Sequence, residues 1–263
     1  MTRRRRSGLA NAAFSMAVDP RATRHLLAAW AAVASVACFV NITDLDRSLD
    51  VEVSEPFSYQ LDATATVRLR LEGINGVVTV LGDPGSNAAR VTGERRVRSD
   101  TRADAQQFLD RVTVTVLEQG DEIVVQTIQP SSSGGREVIV DYDLIIPAGL
   151  DVDLANVNGA VTVRDLVGDV EVTLVNGDIA GDVTLLPSGT VDLAVVNGTV
   201  MLDVPTSVSA MVEADVVNGS ISVVGLTLLD ATTSPRSVRG RLGAGDGLID
   251  LNSTNGTITL RGS

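Results

Sequence analysis

Val196-Asn197-Gly198-Thr199-Val200 is a phrase that the chain keeps rewriting. Close copies stand at Val157-Asn158-Gly159, Val175-Asn176-Gly177, Val217-Asn218-Gly219 and Thr254-Asn255-Gly256, and an earlier one at Ile74-Asn75-Gly76. From Asn158 the asparagines are spaced by 18, 21, 21 and 37 residues. Aligning the copies makes columns. Two residues before each asparagine stand Asn156, Leu174, Val195, Val216 and Ser253; four before, Leu154, Val172, Leu193, Ala214 and Leu251. Six before stand Val152, Val170, Val191, Val212 and Ile249; three after, Val161, Ile179, Val200, Ile221 and Ile258. Alternate positions are therefore apolar in nearly every copy, the period of strands with one buried face.

Two architectures can use this pattern. Asn-Gly is the strongest two-residue hairpin signal, so each copy could close a β-hairpin in an antiparallel sheet. Recurrence with matching columns is what a stacked β-solenoid needs, one copy per coil, and the period favours it. At such a corner the asparagine is expected in the left-handed conformation, with glycine taking the strain of the turn. Stacked asparagines can also pass side-chain hydrogen bonds along their column. The pairs Asn158-Gly159, Asn176-Gly177, Asn197-Gly198, Asn218-Gly219 and Asn255-Gly256 then read as structural turns.

The rest of the chain fits an all-β reading. Residues 39–56 are polar and acidic, a tether or an opening edge strand, closed by Pro56. Residues 57–150 read as a β-rich part continuous with the repeats of 151–263. Val67, Leu69 and Leu71 alternate with Arg68, Arg70 and Glu72 as a strand. One short helix is expected at about 100–112, capped by Asp100 or Thr101, with Ala105, Phe108, Leu109 and Val112 on its inner face. Aromatic residues make up 3% of the chain, which suits thin repeated layers better than a large globular core.

The stretch Asp141–Val163, DYDLIIPAGLDVDLANVNGAVTV, resembles the centre of the bacterial "putative adhesin" domain-of-unknown-function family, also described as toast-rack-like. The later VNG copies and the closing Leu242–Leu260, LGAGDGLIDLNSTNGTITL, are similar to its C-terminal half. The resemblance spans roughly residues 60 to 263. It implies a right-handed β-solenoid on an exported or membrane-anchored envelope protein, and it brings no catalytic residues. It thus implies an adhesion or protein-interaction surface, with an accessory sensor in envelope-stress signalling as the alternative.

Residues 1–38 read as a signal or anchor. Leu26 to Val40 is an apolar run behind a basic segment, the layout of a secretory leader and short for a membrane span. Cys38, the single cysteine, follows Ser35-Val36-Ala37 as in a lipoprotein cleavage site. Lipid attachment at Cys38, cleaved secretion and an uncleaved anchor are all open. Six of the 21 arginines and one of the 33 acidic residues precede this boundary, leaving 15 against 32 in the body. Such a body repels nucleic acid and anionic headgroups, so the expected partner is an envelope protein or a glycan.

The chemistry the sequence allows is narrow. His25 is the one histidine and lies in the leader, so His-based triads and zinc sites have no residues to use in the body. No catalytic residue and no cofactor is expected. A carboxylate-dependent polysaccharide lyase, with an acid cluster holding calcium near a basic residue such as Arg164 beside Asp165, is the enzymatic alternative. Five residues before each asparagine stand Asp153, Glu171, Asp192, Glu213 and Asp250, out of phase with the apolar columns. They are expected to form an outward acidic column, either a solvated face or a divalent-cation site. Between Asn218 and Asn255, Arg236, Arg239 and Arg241 form the one basic cluster of the repeats, read as a loop that contacts an anionic partner or as part of a degenerate coil. Gly243-Ala244-Gly245-Asp246-Gly247 resembles the glycine–aspartate calcium repeats of secreted toxins, but occurs once and reads as a turn.

Overall fold

The structure is a computed structural model that describes residues 51–263; the leader and the Cys38 lipid site lie outside them. The described residues are strands with one short helix, as the repeats require. Each coil is two strands meeting at an Asn-Gly corner. β2 (Arg68–Glu72) turns into β3 (Val78–Asp83), β8 (Asp151–Asn158) into β9 (Val161–Leu166), and β10 (Val170–Asn176) into β11 (Ile179–Val183). The next is β12 (Thr190–Asn197) with β13 (Val200–Val204). In β14 (Ala210–Val224) and β17 (Gly247–Gly262) one unbroken strand carries both limbs through the corner. Coils stack in parallel with asparagine on asparagine: Asn158 pairs with Asn176, Asn176 with Asn197, Asn197 with Asn255 and Asn255 with Asn218. The earliest copy belongs to the same stack, since Asn75 bridges Asn158 in parallel.

The coils are not stacked in chain order. β17, the last strand, lies between β12/β13 and β14. At the other end β2/β3 lies between β8/β9 and the pair β6 (Glu122–Ile128) and β7 (Glu137–Pro147). The first and last coils of the chain are thus both intercalated. The stretch between Asn218 and Asn255 is neither a loop nor a degenerate coil. It completes β14 and forms an antiparallel hairpin, β15 (Leu229–Ser234) and β16 (Ser237–Leu242), with β16 lying on the first limb of β14.

Antiparallel strands close the other end. β4 (Ala88–Ser99) pairs with β7, β1 (Val51–Asp62) with β4, and β5 (Thr113–Gln119) with β6. Residues 51–56, expected in the tether, form the first half of β1, and Pro56 lies within it. The helix, α1 (Arg102–Leu109), is shorter than expected. Its cap is Thr101, whose hydroxyl accepts from the Asp104 amide at 3.2 Å, and Ala105, Phe108, Leu109 and Val112 are buried. Val67 lies outside β2 and is exposed, unlike Leu69 and Leu71.

Inward columns make one continuous core, with Leu154, Val172, Leu193, Leu251 and Ala214 all buried. Asn156 and Ser253, the two polar members of an inward column, are buried as well. Asn156 Nδ2 donates to the carbonyls of Gly76 at 3.0 Å and Asn158 at 3.2 Å, which offsets the cost of its burial.

The corner differs from expectation. The glycines, not the asparagines, take positive φ, from 120° at Gly159 to 153° at Gly219 and Gly256. The asparagines keep ordinary φ and use their side chains instead. Asn158 Nδ2 donates to Asn75 Oδ1 at 2.5 Å, and Asn176, Asn197 and Asn255 continue the ladder at 2.8 Å. Asn218 ends it on Asn255 Oδ1 at 2.9 Å. Beside this ladder, a β-carbon on Gly198 would overlap the carbonyl oxygen of Gly177, one coil away. The same overlap recurs at Gly159, Gly177, Gly256 and Gly219, each against the glycine of the preceding coil in the stack.

Gly198→Ala should therefore cost far more than a positive φ alone. Gly120, at φ 69° with open space around it, is the control. Gly120→Ala is expected to cost about 1 kcal/mol and Gly198→Ala about 3 kcal/mol or more, read from urea unfolding of the two variants.

Candidate interaction surface

The ladder sets the register of every outward side chain. In stack order the acidic column runs Asp153, Glu171, Asp192, Asp250, Glu213, because β17 is intercalated. An arginine stands at each end. Arg70 is opposite Asp153, with Nε 3.8 Å from Oδ2. Arg239 is opposite Glu213, and its guanidinium reaches Glu213 at 2.5 Å and Asp215 at 2.9 Å. The column is thus a line of carboxylates between two cations. Neighbouring strands place its members about 4.8 Å apart, so the line does not converge as a cage. Among the described residues no group of three or more His, Cys, Asp or Glu side chains is arranged to hold a metal ion.

The column is also less solvated than an outward face would be. Burial, then the charge of Asp250, then that of Glu171 push the Asp192 carboxyl up to about 7. Burial and the Asp153 charge raise Glu171; burial raises Asp153 against the pull of Arg70 and Arg68. Asp250 accepts from Asn252 Nδ2 at 2.8 Å.

The basic cluster is mostly occupied. Arg239 holds Glu213 and Asp215, and Arg241 donates to Asp230 at 2.9 Å and to the Gly243 carbonyl at 2.6 Å. Both lie on a strand, β16, rather than in a loop. Arg236 lies in the turn before it, exposed, and makes no ion pair among the described residues. A role for Arg239 was not legible in the sequence, because its column partner Glu213 is 26 residues away and antiparallel.

Arg164 and Asp165 stand opposite a register shift between β9 and β11, a bulge in which Asp165 takes φ 55°. Asp165 contributes chiefly backbone there: a β-carbon on Gly82 would overlap its carbonyl. The glycine-rich run of 243–247 is a turn built on Ser209. That hydroxyl accepts from the amides of Ala244 at 2.9 Å and Gly245 at 3.0 Å and donates to Asp246 at 2.7 Å. No helix among the described residues is long and apolar enough to cross a membrane.

Residues 148–261 match the Toastrack DUF4097 family model, which bears out the resemblance read from the VNG copies. No curated protein matches the chain. Among solved structures, a "putative cell adhesion protein" from Clostridium sporogenes ATCC 15579 is similar over 80% of this chain and 100% of its own, at 10% identity and a TM-score of 0.55. A "putative adhesin" from Bacteroides fragilis NCTC 9343 is aligned over 80% of this chain and 97% of its own, at 7% identity and a TM-score of 0.21. At these identities the first likeness speaks for the fold alone, and the second carries no argument.

The acidic column makes stability depend on pH in a defined direction. Asp192 has its folded value raised from 3.8 to about 7, so the folded state keeps a proton that the unfolded chain has already released between those values. Its contribution is full below the lower value and is lost as pH rises through the upper one. Melting temperature should therefore fall between pH 4 and pH 7.5. Asp192→Asn should flatten that slope and stabilise the protein at pH 8 by on the order of 1–2 kcal/mol, after allowance for solvent screening. Calorimetry of both proteins across that range is the check.

Proposed function

From a Toastrack DUF4097 domain at residues 148–261, we propose a non-enzymatic, exported protein whose β-solenoid serves as an adhesion or protein-interaction surface of the cell envelope. The observation that carries this reading is the alignment of outward side chains into long columns by one asparagine ladder. Repeat stacks offer extended faces on which many weak contacts add, rather than a single concave site. The chemistry of the body supports the same reading: it has no histidine, and its sole cysteine is Cys38 at its boundary. Arg70 and Arg239 are used to join neighbouring strands of the stack. The solved structure that shares the fold bears a cell-adhesion name, which agrees in kind. The apolar leader and Cys38 support a place outside the cytoplasm with a membrane tether, and the acidic body favours an envelope protein or a glycan over nucleic acid as the partner.

Fractionation of cells expressing the tagged full chain tests this. The protein is expected in the envelope fraction and open to added protease, with Cys38→Ser releasing it from the membrane. Recovery in the cytoplasm overturns export, and release of unsaturated uronates from acidic polysaccharides by the purified protein overturns the non-enzymatic reading.

A further inference from the structure

The stack ends unevenly. Past β14, the sheet of first limbs continues through β16 and β15, whereas the sheet of second limbs stops at β14 itself. β16 covers only Ala210–Asp215, and the Val216 amide donating to the Arg236 carbonyl at 2.9 Å is the last bond on that side. From Val217 to Val224, β14 pairs with β17 on one side and with no described strand on the other. In lower coils the amides of Gly177, Ile179 and Gly198 donate to Asn197, Thr199 and Asn255 of the next coil. The same alternation aims the N–H groups of Gly219, Ile221 and Val223 into the open side. Asn218 donates to Asn255, and its own Oδ1 accepts from no described side chain.

The side chains agree with the backbone. Ile221 and Val223 stand in core columns where Ile179, Val200, Leu202, Ile258 and Leu260 are buried, yet both are only partly covered. Val217 and Val224 are 56% and 50% exposed. No charged residue occurs from Val216 to Leu229. Open edges are ordinarily guarded by charge, proline or brevity. β1 carries Glu52, Glu55 and Pro56, β5 ends on Glu118 and Gln119, and β15 is six residues long with Asp230 in it. The edge of β14 has no such guard.

We infer that residues 217–224 of β14 are a docking edge for an extended, uncharged strand of a partner protein. The strand adds in parallel as the missing second limb of the next coil and lays alternate apolar side chains over Ile221 and Val223. Main-chain bonds to Gly219, Ile221 and Val223 supply affinity, and a residue without a β-carbon is required beside Gly219. A partner strand fits better than a second copy of this chain. Two copies each carry a net charge of −12, and the β15–β16 hairpin of each overhangs the edge that the other would need. This deepens the interaction-surface reading and rests on it, but a failure of export in the fractionation experiment leaves the edge untouched, and the reverse holds too.

The test uses the full chain and, as probe, a fluorescein-labelled, end-capped peptide with the sequence of Val196–Leu202, an uncharged second limb with its Asn-Gly corner. Fluorescence anisotropy should show saturable binding that a scrambled peptide lacks. Val223→Pro removes an outward N–H that β17 does not use, a substitution edge strands tolerate. It should weaken binding at least about tenfold with the melting temperature little changed. If circular dichroism shows that variant unfolded, Val223→Lys, a charge on the same edge, carries the same expectation. The proposal is overturned by absence of saturation, by equal binding of the scrambled peptide, or by undiminished binding to the edge variant. It is equally overturned if light scattering finds a dimer that the peptide cannot displace and Val223→Pro abolishes, since the occupant is then a second copy.

Discussion

The fold depends on a column of glycines with no room for a side chain. At five of the six corners the space where a β-carbon would stand is filled by the carbonyl oxygen of the glycine one coil away, and at Gly76 by that of Val140. Backbones can approach that closely only because each of these coils presents glycine there. The asparagine beside it then reaches its neighbour and joins the ladder. A one-residue slip would bring side chains into the column and break the ladder, and would turn each inward column outward. Steric exclusion at one position therefore holds the register of a whole stack, and through it the position of every residue on the outer faces.

That constraint is the same at every coil, so it does not say which coils are neighbours. The chain exploits this at both ends. β2/β3, formed first in sequence, is enclosed between β8/β9 and β6/β7; β17, formed last, is enclosed between β12/β13 and β14. Enclosing β2/β3 and β17 puts the first and last Asn-Gly coils within the hydrogen-bonded interior of the stack, where strands fray least. It also means that much of the pairing is non-local, with Asn158 meeting Asn75 across 83 residues and Asn255 meeting Asn197 across 58. Such topologies order slowly, because loop-closure entropy must be met before the contacts that reward it.

The intercalation also decides the electrostatics. Asp250 is inserted between Asp192 and Glu213, which lengthens an acidic line already crowded by strand spacing. Arg70 and Arg239 close the line at its two ends, and in the middle burial, then the charges of Asp250 and Glu171, shift Asp192 most. Arg70 belongs to an enclosed coil and Arg239 to the hairpin beyond β14, one on each side of the acidic line. Only the assembled order makes them the terminal pair of one column.

Read by itself, the chain determined the class of fold, the place of the corner though not its backbone conformation, the inward columns and the acidic column, because all of these follow from short periods that every copy repeats. Leu154, Val172 and Leu193 could be placed in the core from alternation alone, and Asp153 through Asp250 on the other face. The order of coils, the hairpin at 229–242, the use of Arg239 and Arg241, and the half-finished coil at Val217–Val224 were decided by the tertiary structure. The physical reason is that a parallel stack has identical register between any two coils: Asn255 satisfies Asn197 as well as Asn218 does. Local pattern can therefore state that coils pair, whereas which coil lies beside which is settled by the chain connections and by what covers each end.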